Sequence, residues 1–421
     1  MSTLPSVSIV VVNWSGRHLL EDCLPSITAL DYPASLVETI VVDNGSEDGS
    51  VEWLGRAWPG VRVLASAENV GFAAASNRGA AAGSGELLAF LNNDLRVAPS
   101  WLRHMVEARA TTGAAVAGSC VLDWEGRCYD FGGAAMNFHG HGTNRCHGRP
   151  YAAARAAAPP SPALFACGAA MLADRARFLS SGGFDPDYFA YFEDVDLGWR
   201  LWVQGEQVVY VPAALAYHRH HGSGLAAERR TRLLERNALA SLVKNYDDEN
   251  LALVLPAALA LLAARARLAG EGARVYRDVL AEHEAARAVL ETKRAAVQAR
   301  RRRADRDIVP LFAEPLRPSF FGQAYWQEQC RVVRAFGIAR LLGAEHAGAL
   351  VEGLDAFVEE LEGRVESLER ELAGERRARA EALAAHRQEH DRLVAEVERL
   401  RREQGTRVGR GFWRALGRSG S

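Results

Sequence analysis

The sequence predicts an α/β domain, followed by a helical region and a short C-terminal coiled coil. Three observations lead there: apolar runs alternating with helical stretches, a later stretch rich in Ala, Leu, Arg and Glu, and leucines repeating every seven residues. The first run, Val7-Ser-Ile-Val-Val-Val12, is almost continuously apolar and stops at Asn13. Such a run suits a strand buried on both faces, as in parallel sheets. A second strand is expected at Val37-Glu-Thr-Ile-Val-Val-Asp43, ending in the dense turn signal Asp43-Asn-Gly-Ser-Glu-Asp-Gly-Ser50. Further strands are expected at 61–64, 86–91 and 114–121, with an alanine-rich helix after Gly71. This alternation predicts a doubly wound sheet, whose ligands collect beyond the carboxyl ends of the strands. Asn13, Asp43, the pair Glu68-Asn69 and the triplet Asn92-Asn93-Asp94 all fall at or just past those ends.

The catalytic domain is expected to span 1–225. Residues 226–305 read as helices, and 306–345, with Pro310, Pro315 and Pro318, as a linker or irregular segment. Residues 346–404 read as a coiled-coil helix. There Leu354, Leu361 and Leu368, interleaved with Val358, Val365 and Leu372, form roughly three heptads suited to self-association. A basic tail, 405–421, completes the chain. That tail, with Phe412 and Trp413, and the stretch Arg300-Arg-Arg-Arg303 suit an anionic lipid surface, or are simply solvated. The apolar run 251–264 is too short to span a bilayer and is interrupted by Pro256; it suits a packed helix or one lying on a membrane surface.

At 421 residues the chain is long enough for more than one domain. Its net charge of −2 gives no electrostatic case for nucleic-acid binding. Six cysteines are too few for a disulfide framework at this length, which points to a reducing cytoplasm. Cys120, Cys128, Cys146 and His147 match no usual zinc spacing. No basic segment precedes the first strand, so no signal peptide is expected.

The segment Tyr191-Phe-Glu-Asp-Val-Asp-Leu-Gly-Trp-Arg200 places three carboxylates among large apolar side chains. Charges in such company are costly unless they are paired or at work. Asp196 and Arg200 stand four apart and suit a structural helix pair. Trp199 and Trp202 suit core packing.

Residues 7 to about 225 resemble family 2 of the glycosyltransferases, inverting enzymes with a GT-A fold. The resemblance rests on Ser8-Ile-Val-Val-Val-Asn13, Val41-Val-Asp-Asn-Gly-Ser46, Asn69-Val-Gly-Phe-Ala73, Leu91-Asn-Asn-Asp94, Gly182-Gly-Phe-Asp185, Tyr191 to Leu197, and Val211-Pro with Tyr217-His218, in family order. Members similar to bacterial rhamnosyl- and galactofuranosyl-transferases build surface polysaccharides. The resemblance implies a metal-dependent transfer from a dTDP- or UDP-sugar to a glycan or lipid-linked acceptor, at the inner face of the cell membrane. It implies that Asp43 accepts a hydrogen bond from the pyrimidine imide, as an acceptor-only carboxylate can. Asn13, Glu68, Asn69 and Gly71 would line the nucleotide pocket. Asn92 and Asn93 stand where many members carry Asp. Asp94 would hold Mg²⁺ or Mn²⁺, helped by His218 or by the neighbouring His220-His221. Gly183 and Glu193 would face the sugars, and Asp194 would be the general base. The alternatives are a nucleotidyltransferase, poorly supported because Asn13 to Arg17 is no glycine-rich basic loop, and a non-catalytic sugar-nucleotide scaffold, which would not need an intact Glu193-Asp194.

Overall fold

The computed structural model describes residues 4–219, 224–314, 316 and 322–342, together with helical stretches between 372 and 399. Residues 1–347 form one compact unit and 348–421 a second. The expected heptad leucines 354, 361 and 368, the His220-His221 pair and the basic tail lie outside the described residues.

Twelve strands occur in the first unit: β1 Val7–Asn13, β2 Val37–Asp43, β3 Arg62–Ala65, β4 Leu87–Asn92, β5 Leu95–Val97, β6 Val116–Asp123, β7 Tyr129–Phe131, β8 Ala134–Met136, β9 Gly142–Asn144, β10 Ser161–Pro162, β11 Ala170–Asp174 and β12 Val208–His218. Ten of them make one sheet ordered β10-β12-β6-β11-β4-β1-β2-β3, with β5 on β12 and β7 on β6. The half built from β1 to β4 is parallel, and it contains the first four expected strands nearly in place. Its apolar runs are buried on both faces, between helices such as α1 Arg17–Thr28 and, after α2 Ser50–Ala57, the alanine-rich α3 Phe72–Ala82.

The other half is not doubly wound. Strand β11 runs antiparallel to both β4 and β6. It has only five residues, too few for its alternation to stand out in the sequence. The long β12 returns parallel to β6, with a register shift between Val211 and Leu215 around Pro212. A proline without an N–H fits such a break in the ladder.

Further helices are α4 Trp101–Thr112, α5 Arg175–Ser180, α6 Glu193–Val203, α7 Ala227–Asn245, α8 Asp248–Leu268, α9 Ala273–Ala285 and α10 Arg287–Gln298. The helical region after 225 is therefore present, and it packs into the same compact unit as the sheet. Helix α8 is long and apolar enough to cross a membrane by length and composition. It contacts α7 and α9 and buries Arg265 against Glu235 of α7 at 2.7 Å, an arrangement that suits a packed helix. The stretch expected to be irregular contains a short helix, α11 Asp305–Ile308, and the longer α12 Gly322–Ala335. Tyr325 of α12 is buried and its hydroxyl accepts from Arg265.

The arginine run at 300–303 behaves differently from the lipid-facing expectation. Arg300 donates to the Ser180 carbonyl at 2.6 Å and Arg303 to the carbonyls of Gly205 and Glu206, while Arg301 reaches Asn245 and Asp305. Arg303 also stacks over Trp202 at 4.6 Å. Guanidinium forks satisfy several carbonyls at once, so the run fastens the helical region to the catalytic domain.

Candidate active site

The ends of β1, β2 and β4 lie level, with Asn13 opposite Asp43 and Val12 opposite Asn92. Beyond them opens a cavity of about 660 Å³. Its floor includes Asn69, Asn92, Asn93, Asp94 and His218, and one wall is Ala190 to Val195. Trp14, 43% exposed, stands at the edge.

On the parallel side the polar groups are mostly neutral amides tied to one another. Asn13 donates to Asp43 Oδ2 at 3.1 Å and accepts from Asn93 Nδ2 at 2.8 Å. Asn44 donates to Asn69 Oδ1 at 2.9 Å, and that oxygen also accepts from the Gly71 N–H. Asp43 is only 1% exposed and accepts from the Ser46 N–H at 3.0 Å; neither it, Asn13, Glu68 nor Gly183 lines the cavity. Glu68 is exposed in the bend after β3. Two glycines are required for reasons other than ligand approach. A Cβ on Gly71, at φ +88°, would stand 2.6 Å from the Phe189 carbonyl oxygen, and one on Gly183, at φ +63°, 2.5 Å from Asn77 Oδ1.

The other side of the floor is charged. Strand β5 places Leu95 opposite His218 of β12, which brings Asp94 beside the imidazole. His218 Nε2 lies 3.0 Å from Asp94 Oδ2, and its Nδ1 lies 2.7 Å from Asp130 Oδ2. Burial by itself would push the imidazolium pKa down, but the two carboxylates outweigh it and hold it at about 9. Asp130, on the three-residue β7, was missed by sequence reasoning, because its partner is far away in the chain. A lone acid between Tyr129 and Phe131 was the available signal.

The residues fit a hard divalent cation. Asp94 Oδ1 is buried and has no hydrogen-bond partner among the described residues. With His218, whose imidazolium must first give up its Nε2 proton, it offers one carboxylate and one imidazole, donors that suit Mg²⁺ or Mn²⁺. No group of three or more ligating side chains converges among the described residues, so a cation here would need oxygens from a ligand to complete its shell.

The wall carries the acid pair. Glu193 and Asp194 open helix α6, where backbone N–H groups favour an anion. Asp194 Oδ2 accepts from the Gly168 N–H and Oδ1 from the Val195 N–H, both at 2.8 Å. Glu193 is buried and its Oε2 has no partner among the described residues. Burial, then the neighbouring Asp194 charge, pushes the Glu193 carboxyl well above the carboxylate range. Burial raises Asp194 as well, but its backbone donors oppose the rise. A buried pair of this kind retains one proton readily, on Glu193, and leaves Asp194 as the anion. Asp196, two positions on, faces the interior, where it pairs with Arg200 at 3.1 Å as expected and with Lys244 at 2.9 Å. Trp199 packs edge-on against Tyr246 and Phe312 in the core. Cys167 also lines the cavity, and burial pushes its thiol pKa up, which keeps it neutral.

Comparison with known proteins gives the family of the chain. The family model "Glycosyl transferase family 2" matches residues 6–175. Over 239 residues the chain is 30% identical to the N-acetylglucosaminyl-diphospho-decaprenol L-rhamnosyltransferase of Mycobacterium tuberculosis, covering 51% of this chain and 77% of that one. The chain belongs to glycosyltransferase family 2. It is an enzyme of that family, with a mixed α/β GT-A domain followed by a helical region. It is also 36% identical over 123 residues to the glycosyltransferase AglE of Haloferax volcanii, covering 28% of this chain and 40% of that one. Among solved structures, GalNAc-T7 with UDP, GalNAc and Mn²⁺ superposes with a TM-score of 0.49 at 17% identity, covering 61% of this chain and 52% of that one. The family match ends at 175, before the acid pair, β12 and α7.

Proposed function

We propose that this family 2 enzyme transfers a sugar from a UDP- or dTDP-sugar to a hydroxyl of a glycan or lipid-linked acceptor, with inversion, in bacterial surface polysaccharide synthesis. The observation that carries the reading is Asp194, held by two backbone N–H groups on the cavity wall and kept anionic while Glu193 retains the proton. In this mechanism Asp194 takes the acceptor hydroxyl proton as that oxygen bonds the anomeric carbon. The bond to the diphosphate oxygen breaks on the opposite face, its electron pair leaving with the nucleotide. Asp94 and His218 would hold Mg²⁺ or Mn²⁺, and such an ion supplies neutralising charge for a leaving diphosphate. Asn69 and the amides around it suit the nucleoside end. The enzyme is placed in the cytoplasm, peripheral to the inner face of the membrane, on the strength of its basic aromatic tail and acceptor class.

The test is thermal stability with UDP, dTDP and GDP, each with and without Mn²⁺, beside Asp94→Ala. A ligand bound only by folded protein raises the midpoint. The expected result is a Mn²⁺-dependent rise with one pyrimidine diphosphate, abolished in Asp94→Ala. Folded protein that responds to no nucleotide would count against the transferase reading.

A further inference from the structure

The loop between η-turn Pro186–Tyr188 and helix α6 forms part of the cavity wall and leads directly into Asp194. Three of its residues, Phe189, Tyr191 and Phe192, adopt positive φ of 61°, 69° and 63°. Bulky side chains rarely occupy that region unless the surroundings enforce it. The enforcing groups come from α7, beyond the family match. Asn237, 1% exposed, has its Nδ2 within 3.0 Å of the carbonyls of Tyr188 and Ala190 and 2.7 Å from that of Tyr191. Its Oδ1 accepts from Arg236, whose guanidinium also donates to the Asp187 carbonyl at 2.6 Å. Arg229 of the same helix lies over the Phe189 ring at 4.6 Å. One amide thus ties three carbonyls of the loop to α7, beside the Ala190 N–H and the Arg236 guanidinium, which also reach the Tyr188 carbonyl.

We infer that Asn237 is a positioning residue for the transfer reaction, setting the left-handed loop Phe189–Phe192 and through it the aim of Asp194. The inference rests on the transferase reading, but part of its test does not. The isosteric Asn237→Asp keeps volume and removes the donors, turning a carboxylate toward three carbonyls; Asn237→Ala leaves them unserved. Ser241→Ala is the control, since Ser241 on the same helix bonds the Tyr188 hydroxyl at 2.8 Å and touches no loop carbonyl.

Hydrogen exchange of the full chain is measured over residues 186–196, with nucleotide release from UDP-, dTDP- and GDP-sugars and the affinity for UDP, dTDP and GDP in Mn²⁺. The expected result is faster exchange confined to that segment in both Asn237 variants. Turnover falls by about 10²-fold, the scale of a displaced reacting group, with nucleotide diphosphate affinity held within about threefold. Ser241→Ala should leave the segment and turnover near wild type. Unchanged exchange in both Asn237 variants, or equal losses in Ser241→Ala, overturns the inference. If Asp at 237 prevents folding, the Ala variant decides alone. Wild-type protein that releases no nucleotide from any donor refutes the transferase reading instead, and exchange still decides whether Asn237 sets the loop.

Discussion

The two halves of the cavity floor are built on different principles. Where β1, β2 and β4 end, asparagines hydrogen-bond to one another and to a buried Asp43, an edge that recognises shape and donors. Where β5, β7 and β12 meet, Asp94, His218 and Asp130 stack charge on charge, and α6 adds two more carboxylates. Neutral amides cost little to hold without a ligand, because they satisfy each other. Clustered charges are held by their own counter-charges and by backbone dipoles. The amide edge and the acid pair of α6 are therefore separable, and substitution of Asp194 should spare nucleotide binding, whereas Asp94 is expected to serve both.

The sharpest break is Asp194→Asn. It should lower turnover by roughly 10²–10⁴-fold, the range of general base catalysis, with nucleotide affinity unchanged in calorimetry. In wild type the acid limb of the pH–rate profile should lie above the ordinary carboxylate range, because Asp194 must be ionised and burial raises it. Asp196→Asn probes the opposite face of the same turn. It takes one partner from Lys244, which keeps Asp185, and one from Arg200, which keeps the carbonyls of Ser181 and Gly183, and should cost about 3 kcal/mol of stability in denaturant unfolding, the low end for loss of a buried ionic partner. Smaller again is Asp130→Asn, which frees His218 Nδ1 from its orienting carboxylate. Mn²⁺ affinity in the presence of UDP should weaken by about 10–100-fold, with the metal-free melting midpoint and metal-free nucleotide affinity moving far less.

The mildest test is Glu193→Gln. A carboxyl raised in the folded state stabilises fully below its unfolded value of about 4.3, and that contribution is lost as pH climbs through the folded value. Wild type should thus weaken with rising pH relative to the glutamine variant. The variant's advantage in melting midpoint should widen as pH rises above about 4.3. An advantage independent of pH would place Glu193 in water.

The parallel half was legible because β1, β2 and β4 carry apolar runs closed by Asn or Asp, which fix both the strands and the edge of the site. Asp94, His218 and Asp194 came from motif resemblance and do meet in one cavity. The rest was not legible, for a physical reason. Strand β11 is held by its neighbours more than by its own pattern, and Asp130 and Asn237 act through contacts made 88 and 46 to 49 residues away. Gly71 and Gly183 were expected to face the ligand, yet neither lines the cavity, and the groups crowding them are Phe189 and Asn77. The arginines at 300–303 show the same limit, since composition cannot say whether a guanidinium meets a lipid or a carbonyl.

Those arginines also bear on how relatives of this enzyme can be recombined. A chimera joined at residue 175, where the family-model match stops, would take its acid pair and its imidazole from one parent and its amide edge from the other. One joined near 225 would separate the strained loop from the α7 side chains that meet it, and Arg300 and Arg303 from the carbonyls of Ser180, Gly205 and Glu206. The workable crossover lies after Asp305, so that donor preference is exchanged as a block of about three hundred residues rather than as a compact nucleotide cassette.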